Sequence, residues 1–203
     1  IHSGKPHWSS LVLEVLQESD AIYRHEGVFD RSLLTVTYSV NRAEHEARVR
    51  AGRREIRDAF LLAALLDAPE DRLEPVSPRY ERVLRKADNA HFVTLLEDPE
   101  GGVWAQRRAQ PAVDVRSIEI TSTSMKRACT IAHRWAGYGP RTIRTCASVN
   151  TFELTEASHY GIGLQTTDGE CVMMPAAFVP QRWSPARWRF AELIYGQFRE
   201  LND

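Results

Sequence analysis

The segment "SLLTVTYSV" (Ser32 to Val40) places Leu34, Val36, Tyr38 and Val40 on one side and Thr35, Thr37 and Ser39 on the other. A period of two in a stretch rich in β-branched residues predicts a strand resting one face on a core. Asn41 follows as a capping side chain. Apolar positions at Ala43, Ala47, Ile56, Ala59, Phe60, Ala63 and Leu66 then predict a helix running to Asp67, with Gly52 as its weak point or break. Upstream, "HWSSLVLEVLQE" (His7 to Glu18) has the spacing of another helix. Downstream, "APEDRLEPVSP" is a proline-rich connection, and Pro78 to Ala87 predicts a short basic helix.

The pattern changes character at His91. "HFVTLLED", "PEGG" and "VWAQRRAQ" predict a hairpin with a loop longer than two residues, and "VDVRSIEIT" a further strand or pair of strands. Ser124 caps a helix carrying Met125, Ala128, Cys129, Ala132 and Trp135 on one stripe, ended by Gly137 and Gly139-Pro140. "TIRTCASV" is the next strand. A short helix from Phe152 to His159 stops at Gly161, "GIGLQT" is a strand, and Trp188 to Leu201 closes the chain as a helix. Strands alternating with helices predict an α/β fold with a mixed, partly parallel central sheet flanked by helices. That core is expected over residues 91–203. Residues 1–90 are expected to form a mainly helical module or cap with one strand.

The 203 residues are 43% hydrophobic and 26% charged, an ordinary globular mixture that argues against wholesale disorder. The densest apolar patch, "AFLLAALLDA", is far shorter than the ~18 residues that span a bilayer, so no membrane partner is expected. The first residue is Ile1, a start compatible with processing or with a domain cut from a longer chain. It is followed by no signal-peptide apolar stretch. Three cysteines without paired spacing argue against a disulfide framework and a zinc site and favour a cytoplasmic setting. Cys129 reads as a small buried hydrophobe.

A net charge of −1 gives no global attraction to nucleic acid, but the arginines are clustered. Arg50, Arg53, Arg54 and Arg57 would share one side of the helix expected there and could neutralise phosphates; interleaved Glu44, Glu46, Glu55 and Asp58 could equally make it a salt-bridged face. "QRWSPARWRF" joins Arg182, Arg187 and Arg189 to Trp183 and Trp188, a composition suited to base stacking or to closing a core edge. No dinucleotide fingerprint, P-loop, nucleophile elbow or histidine pair at helical spacing is present.

Two segments carry a family resemblance. "RSIEITSTSMKRACTIAHRW" and "SVNTFELTEASHYGIGLQTTDGECV" resemble the motif strand-and-helix and the closing unit of the PD-(D/E)xK restriction endonuclease-like superfamily, Mrr-type branch. The resemblance implies a nucleic-acid-associated domain, a divalent-metal-dependent phosphodiesterase if active. It implies Mg²⁺ held by Asp114 and Glu119, with Lys126 as electrostatic helper in place of the strand lysine, where Thr121 stands. Five residues separate Asp114 from Glu119, which puts them on opposite faces of a regular strand unless the chain bulges near Arg116 and Ser117. Glu97 or Asp98 are alternative carboxylates. The residues also allow a simpler reading, with Asp114 and Glu119 as salt-bridge partners of Arg107, Arg108 or Arg116. Two other functions stay open: a non-catalytic interaction module of a larger assembly, binding protein or nucleic acid, and a small-molecule domain. The pocket of the latter would lie at the carboxyl ends of the central strands, around Thr121, Ser122, Ser148 and Asn150.

Overall fold

Alternation in Ser32–Val40 produces the expected strand, and a tight turn at Asp30-Arg31 folds Ile22–Phe29 back onto it. Both turn residues have positive φ, 44° and 60°, as a two-residue hairpin turn of the type that follows strand twist requires. The computed structural model describes residues 21–146, 148–179 and 182–202. The helix expected from His7 to Glu18 lies outside them.

In chain order the elements are β1 (Ile22–Phe29), β2 (Ser32–Val40), α1 (Arg42–Arg50), α2 (Ala59–Asp67), β3 (Glu74–Pro75), α3 (Pro78–Asn89), β4 (Val93–Glu97) and β5 (Val103–Arg107). They continue with β6 (Val113–Thr121), α4 (Met125–Arg134), β7 (Arg141–Thr145), α5 (Thr151–His159), β8 (Ile162–Thr166), β9 (Cys171–Met173) and α6 (Pro185–Asn202). Six strands form one sheet in the order β1-β2-β6-β7-β8-β9. Pairing is antiparallel from β1 to β6, parallel through β6, β7 and β8, and antiparallel again at β9. This is the mixed, partly parallel α/β sheet expected.

The expected division at residue 90 does not follow the packing. β1 and β2 belong to the main sheet, while the β4–β5 hairpin joins β3 in a separate three-stranded sheet. Residues from α1 to β5 are therefore an insertion between two neighbouring strands, β2 and β6, and local periodicity carries no information about such pairing. The helix expected from Asn41 to Asp67 is two helices. Asn41 caps α1, Gly52 turns left-handed at φ 64°, and Asp58 caps α2 by accepting from the Phe60 and Leu61 amides.

One face of the main sheet (Leu34, Val36, Tyr38, Val115, Ile118, Ile120, Ile143, Ile162 and Leu164) packs on α4, α5 and α6. The insertion has its own core around Leu62, Leu65, Leu84 and Phe92, completed by Trp188 of α6. Helix α6 is thus shared. Phe190, Ile194 and Phe198 face the sheet and Trp188 faces the insertion.

Gly163 in β8 lies against the chain that leaves β9. A Cβ there would sit 2.7 Å from Pro175 N and 3.1 Å from the Met173 carbonyl oxygen. These are backbone atoms with little freedom to yield. Gly163→Ala is therefore expected to lower stability by about 1–3 kcal/mol and to speed hydrogen exchange of the β9 amides. An unchanged melt and unchanged exchange would show that this edge tolerates a side chain.

Candidate functional site

The carboxylates of the expected metal site were the first to be located. β6 carries the bulge that the five-residue spacing demands: Thr37 pairs with Ser117 and Tyr38 with Val115, leaving Arg116 as the extra residue. Asp114 and Glu119 therefore share a face. They do not share a site. Their β2 partners are Ser39 and Thr35, four residues apart, or roughly 13 Å of strand.

Each carboxylate is also committed to arginine. Asp114 lies 3.3 Å from Arg116, and Glu119 lies 3.2 Å from Arg24 and 3.5 Å from Arg144. The salt-bridge reading holds, with Arg116 serving Asp114 as expected and Arg24 and Arg144 serving Glu119 in place of Arg107 and Arg108. The alternative carboxylates are in the second sheet, where Glu97 pairs with Arg85 and Asp98 accepts from the Gly102 and Glu100 amides and the Trp104 indole. Among the described residues no three His, Cys, Asp or Glu side chains gather as a metal-binding group. This donor set does not fit Mg²⁺, which needs hard oxygen ligands converging at about 2.1 Å.

The arginine helix face does not exist as expected. Arg50 ends α1, whereas Arg53, Arg54 and Arg57 lie in the irregular segment before α2. Arg53 donates to the His91 carbonyl and stacks 5.1 Å from the Phe92 ring centre, and burial lowers its pKa. Arg57 pairs with Glu55, and Arg50 donates to the Glu46 carbonyl. Arg57 and Arg189 border a small hollow of about 170 Å³ in which Glu55, Glu192 and Glu200 offset their charge.

The tryptophan–arginine segment is mostly interior. Trp188 is fully buried and donates to Glu192 at 2.9 Å. Arg187 is buried between Trp183, 3.9 Å from its ring centre, and Phe178, and burial lowers its pKa. Arg182 and Arg189 are exposed. The segment closes the core edge, the second of the two readings the sequence allowed.

A different set of residues converges at the carboxyl ends of β6, β7 and β8. A cavity of about 440 Å³ opens there, walled by Thr121, Ser122 and Thr123 after β6, by Arg144 and Cys146 at the end of β7, and by Thr167 after β8. Arg31, Ser32 and Leu33 enter from the β1–β2 turn, and Arg127 and Ile131 from α4. Three guanidinium groups line it, that of Arg144 shared with Glu119 at 3.5 Å, and among the described residues no carboxylate forms part of the wall. Local sequence explains the frame. Ser122 Oγ accepts from the Ser124 amide at 3.1 Å, and Ser124 caps α4 by accepting from the Arg127 amide. The first-turn amides of Met125 and Lys126 have no carbonyl of their own helix to bond.

Two groups in this wall have unmet hydrogen-bonding capacity. Ser32 is only 3% exposed and its hydroxyl has no partner, and Arg144 Nε has none either. The strand-end location matches the small-molecule reading, and Thr121 and Ser122 are wall residues as expected. Asn150 instead caps α5 in a capping box with Glu153, and neither it nor Ser148 lines the cavity. Arg31, Ser32, Arg127, Arg144, Cys146 and Thr167 were not expected. Their only sequence signal was position, just past a strand end or in a turn, and it means nothing until the strand order is known.

The chain matches no known family, no curated protein and no solved structure in the comparisons made. Function therefore rests on the site alone.

Proposed function

We propose that this domain binds a phosphate-bearing anionic ligand in the cavity at the carboxyl ends of β6, β7 and β8. One observation carries the reading: Arg31, Arg127 and Arg144, brought from three separate elements, line a hydroxyl-rich cavity whose wall holds no acidic side chain among the described residues, Glu119 reaching only Arg144 from outside it. The chain as a whole has a net charge of −1, so this is a local concentration of positive charge and not a general property of the surface. Guanidinium groups fit phosphate oxygens in bidentate geometry, hydroxyls donate to the remaining oxygens, and the α4 amino terminus adds its partial positive charge. The crevice outside the carboxyl ends of parallel strands is also where open α/β sheets place their ligands.

The strand β6 with the helix α4 behind it, and the closing unit of α5, β8 and β9, occur in the order that the restriction endonuclease-like resemblance implies. That order supports a nuclease-like arrangement of the sheet. The arginine-neutralised, separated carboxylates favour binding over metal-dependent phosphodiester cleavage.

Titration of the full chain with inorganic phosphate and pyrophosphate, across a salt series, tests the proposal. Binding should weaken as salt rises. The Arg127→Ala variant, at an exposed helix position, should bind pyrophosphate about tenfold or more weakly while keeping the parent melting curve, since a charge-assisted contact contributes roughly 1.5–3 kcal/mol. No binding by the parent, or equal binding by the variant, would sink it.

A further inference from the structure

The cavity does not end at Arg127. Across a wall formed by Arg31, Ser32, Arg127 and Ile131, a second hollow of about 350 Å³ runs along the flank of α4, where it meets Lys126, Thr130 and Arg134. These α4 residues recur at three- and four-residue spacing and so form one exposed side of the helix. Three of them are basic: Lys126, Arg127 and Arg134. The flank spans eight residues, about 12 Å, too far for one phosphate to touch both ends. One carboxylate approaches it, Asp30, which lies 3.7 Å from Arg134 and offsets part of that charge. Ser32 stands in the wall common to both hollows, nearly fully buried, with its hydroxyl unpartnered.

We infer that the two hollows are subsites for a single ligand bearing at least two linked phosphates. One phosphate sits with Arg31, Arg127 and Arg144, and another with Lys126 and Arg134. This rests on the reading of the strand-end cavity as an anion site. Among the described residues neither wall contains an aromatic ring on which a base could stack, so the phosphates themselves are what is recognised. A free polyphosphate chain and the successive phosphates of a nucleic-acid strand share this chemistry.

The experiment is a set of titrations of the full chain with inorganic phosphate, tripolyphosphate and a short single-stranded oligothymidylate. Tripolyphosphate should bind about tenfold or more tightly than phosphate, the expected gain from one additional charge-assisted contact. The Lys126→Ala/Arg134→Ala variant should lose that advantage and keep the parent affinity for phosphate. An Arg79→Ala/Arg82→Ala variant removes the same charge from α3 and should change nothing. Oligothymidylate binding that is as tight as tripolyphosphate binding, and equally sensitive to Lys126 and Arg134, identifies a strand as the source; its absence identifies a free chain. Equal affinity for phosphate and tripolyphosphate, or an α4 variant no different from the α3 variant, overturns the second subsite and leaves the first standing. Failure of phosphate and tripolyphosphate alike to bind the parent defeats the underlying reading instead.

Discussion

Arg48→Ala is expected to destabilise the protein by about 3–5 kcal/mol, the cost of leaving buried charges without their partner. Arg48 is fully buried. Its guanidinium donates to Glu44 at 2.7 Å, to both Glu192 oxygens at 2.6 and 2.9 Å, and to the Gln110 carbonyl at 3.0 Å. Burial alone would lower its pKa, but the hydrogen bonds and charges of Glu192 and Glu44 outweigh it and raise the value. The Tyr195 ring, 5.0 Å away, adds a cation–π contact. Removing Arg48 leaves two carboxylates, Glu44 and Glu192, buried without their partner. With native stabilities of about 5–15 kcal/mol, a loss of this size is a large fraction of the total. It should lower the melting temperature by roughly 6–20 °C. A loss under about 1 kcal/mol in urea and thermal unfolding would show that water replaces the guanidinium. Replacing the whole cluster by apolar residues of similar volume is expected to cost far less, because the desolvation penalty goes with the charges.

Trp188→Ala should cost about 3–5 kcal/mol by emptying the junction between the two cores. The indole is buried among the insertion's apolar residues, the Arg107 guanidinium lies 5.2 Å from its ring centre, and its N–H satisfies Glu192. Trp188→Phe restores most of the volume but not the N–H, so the difference between the two variants separates packing from hydrogen bonding. Because Arg48, Trp188 and the Ile56 amide all bond Glu192, the Arg48 and Trp188 losses should fail to add. Additive losses in a double-mutant cycle would mean that the network is two independent contacts.

Both positions are visible in the sequence, Trp188 with core closure as one of its two readings and Arg48 without its buried role. Arg48 belonged to an arginine-rich stretch whose obvious destination was solvent or phosphate, and Trp188 to a segment that looked able to stack on bases. Helical spacing identifies neighbours on one helix. It says nothing about Glu192, 144 residues away, whose carboxylate makes burial of Arg48 tolerable. The carboxylates of β6 teach the same lesson. Their odd spacing allowed a shared metal only with a bulge near Arg116 and Ser117, and a bulge is there. Bringing them to one face still left them one above the other along the strand, each neutralised by arginine.

The sequence by itself determined the elements: the alternating strand at Ser32–Val40, the hairpin between Val93 and Arg107, the Ser124 helix cap and the Gly161 stop. These depend on backbone propensity, capping and periodicity, which act over a few residues. Tertiary structure alone decided that β2 pairs with β6 across an inserted module, because strand pairing is chosen by total burial over long sequence separations. That pairing sets the β1–β2 turn beside the α4 amino terminus and the end of β7. It thereby brings Arg31, Arg127 and Arg144 to one cavity. Residues 113 positions apart cannot announce by local pattern that they will share a wall.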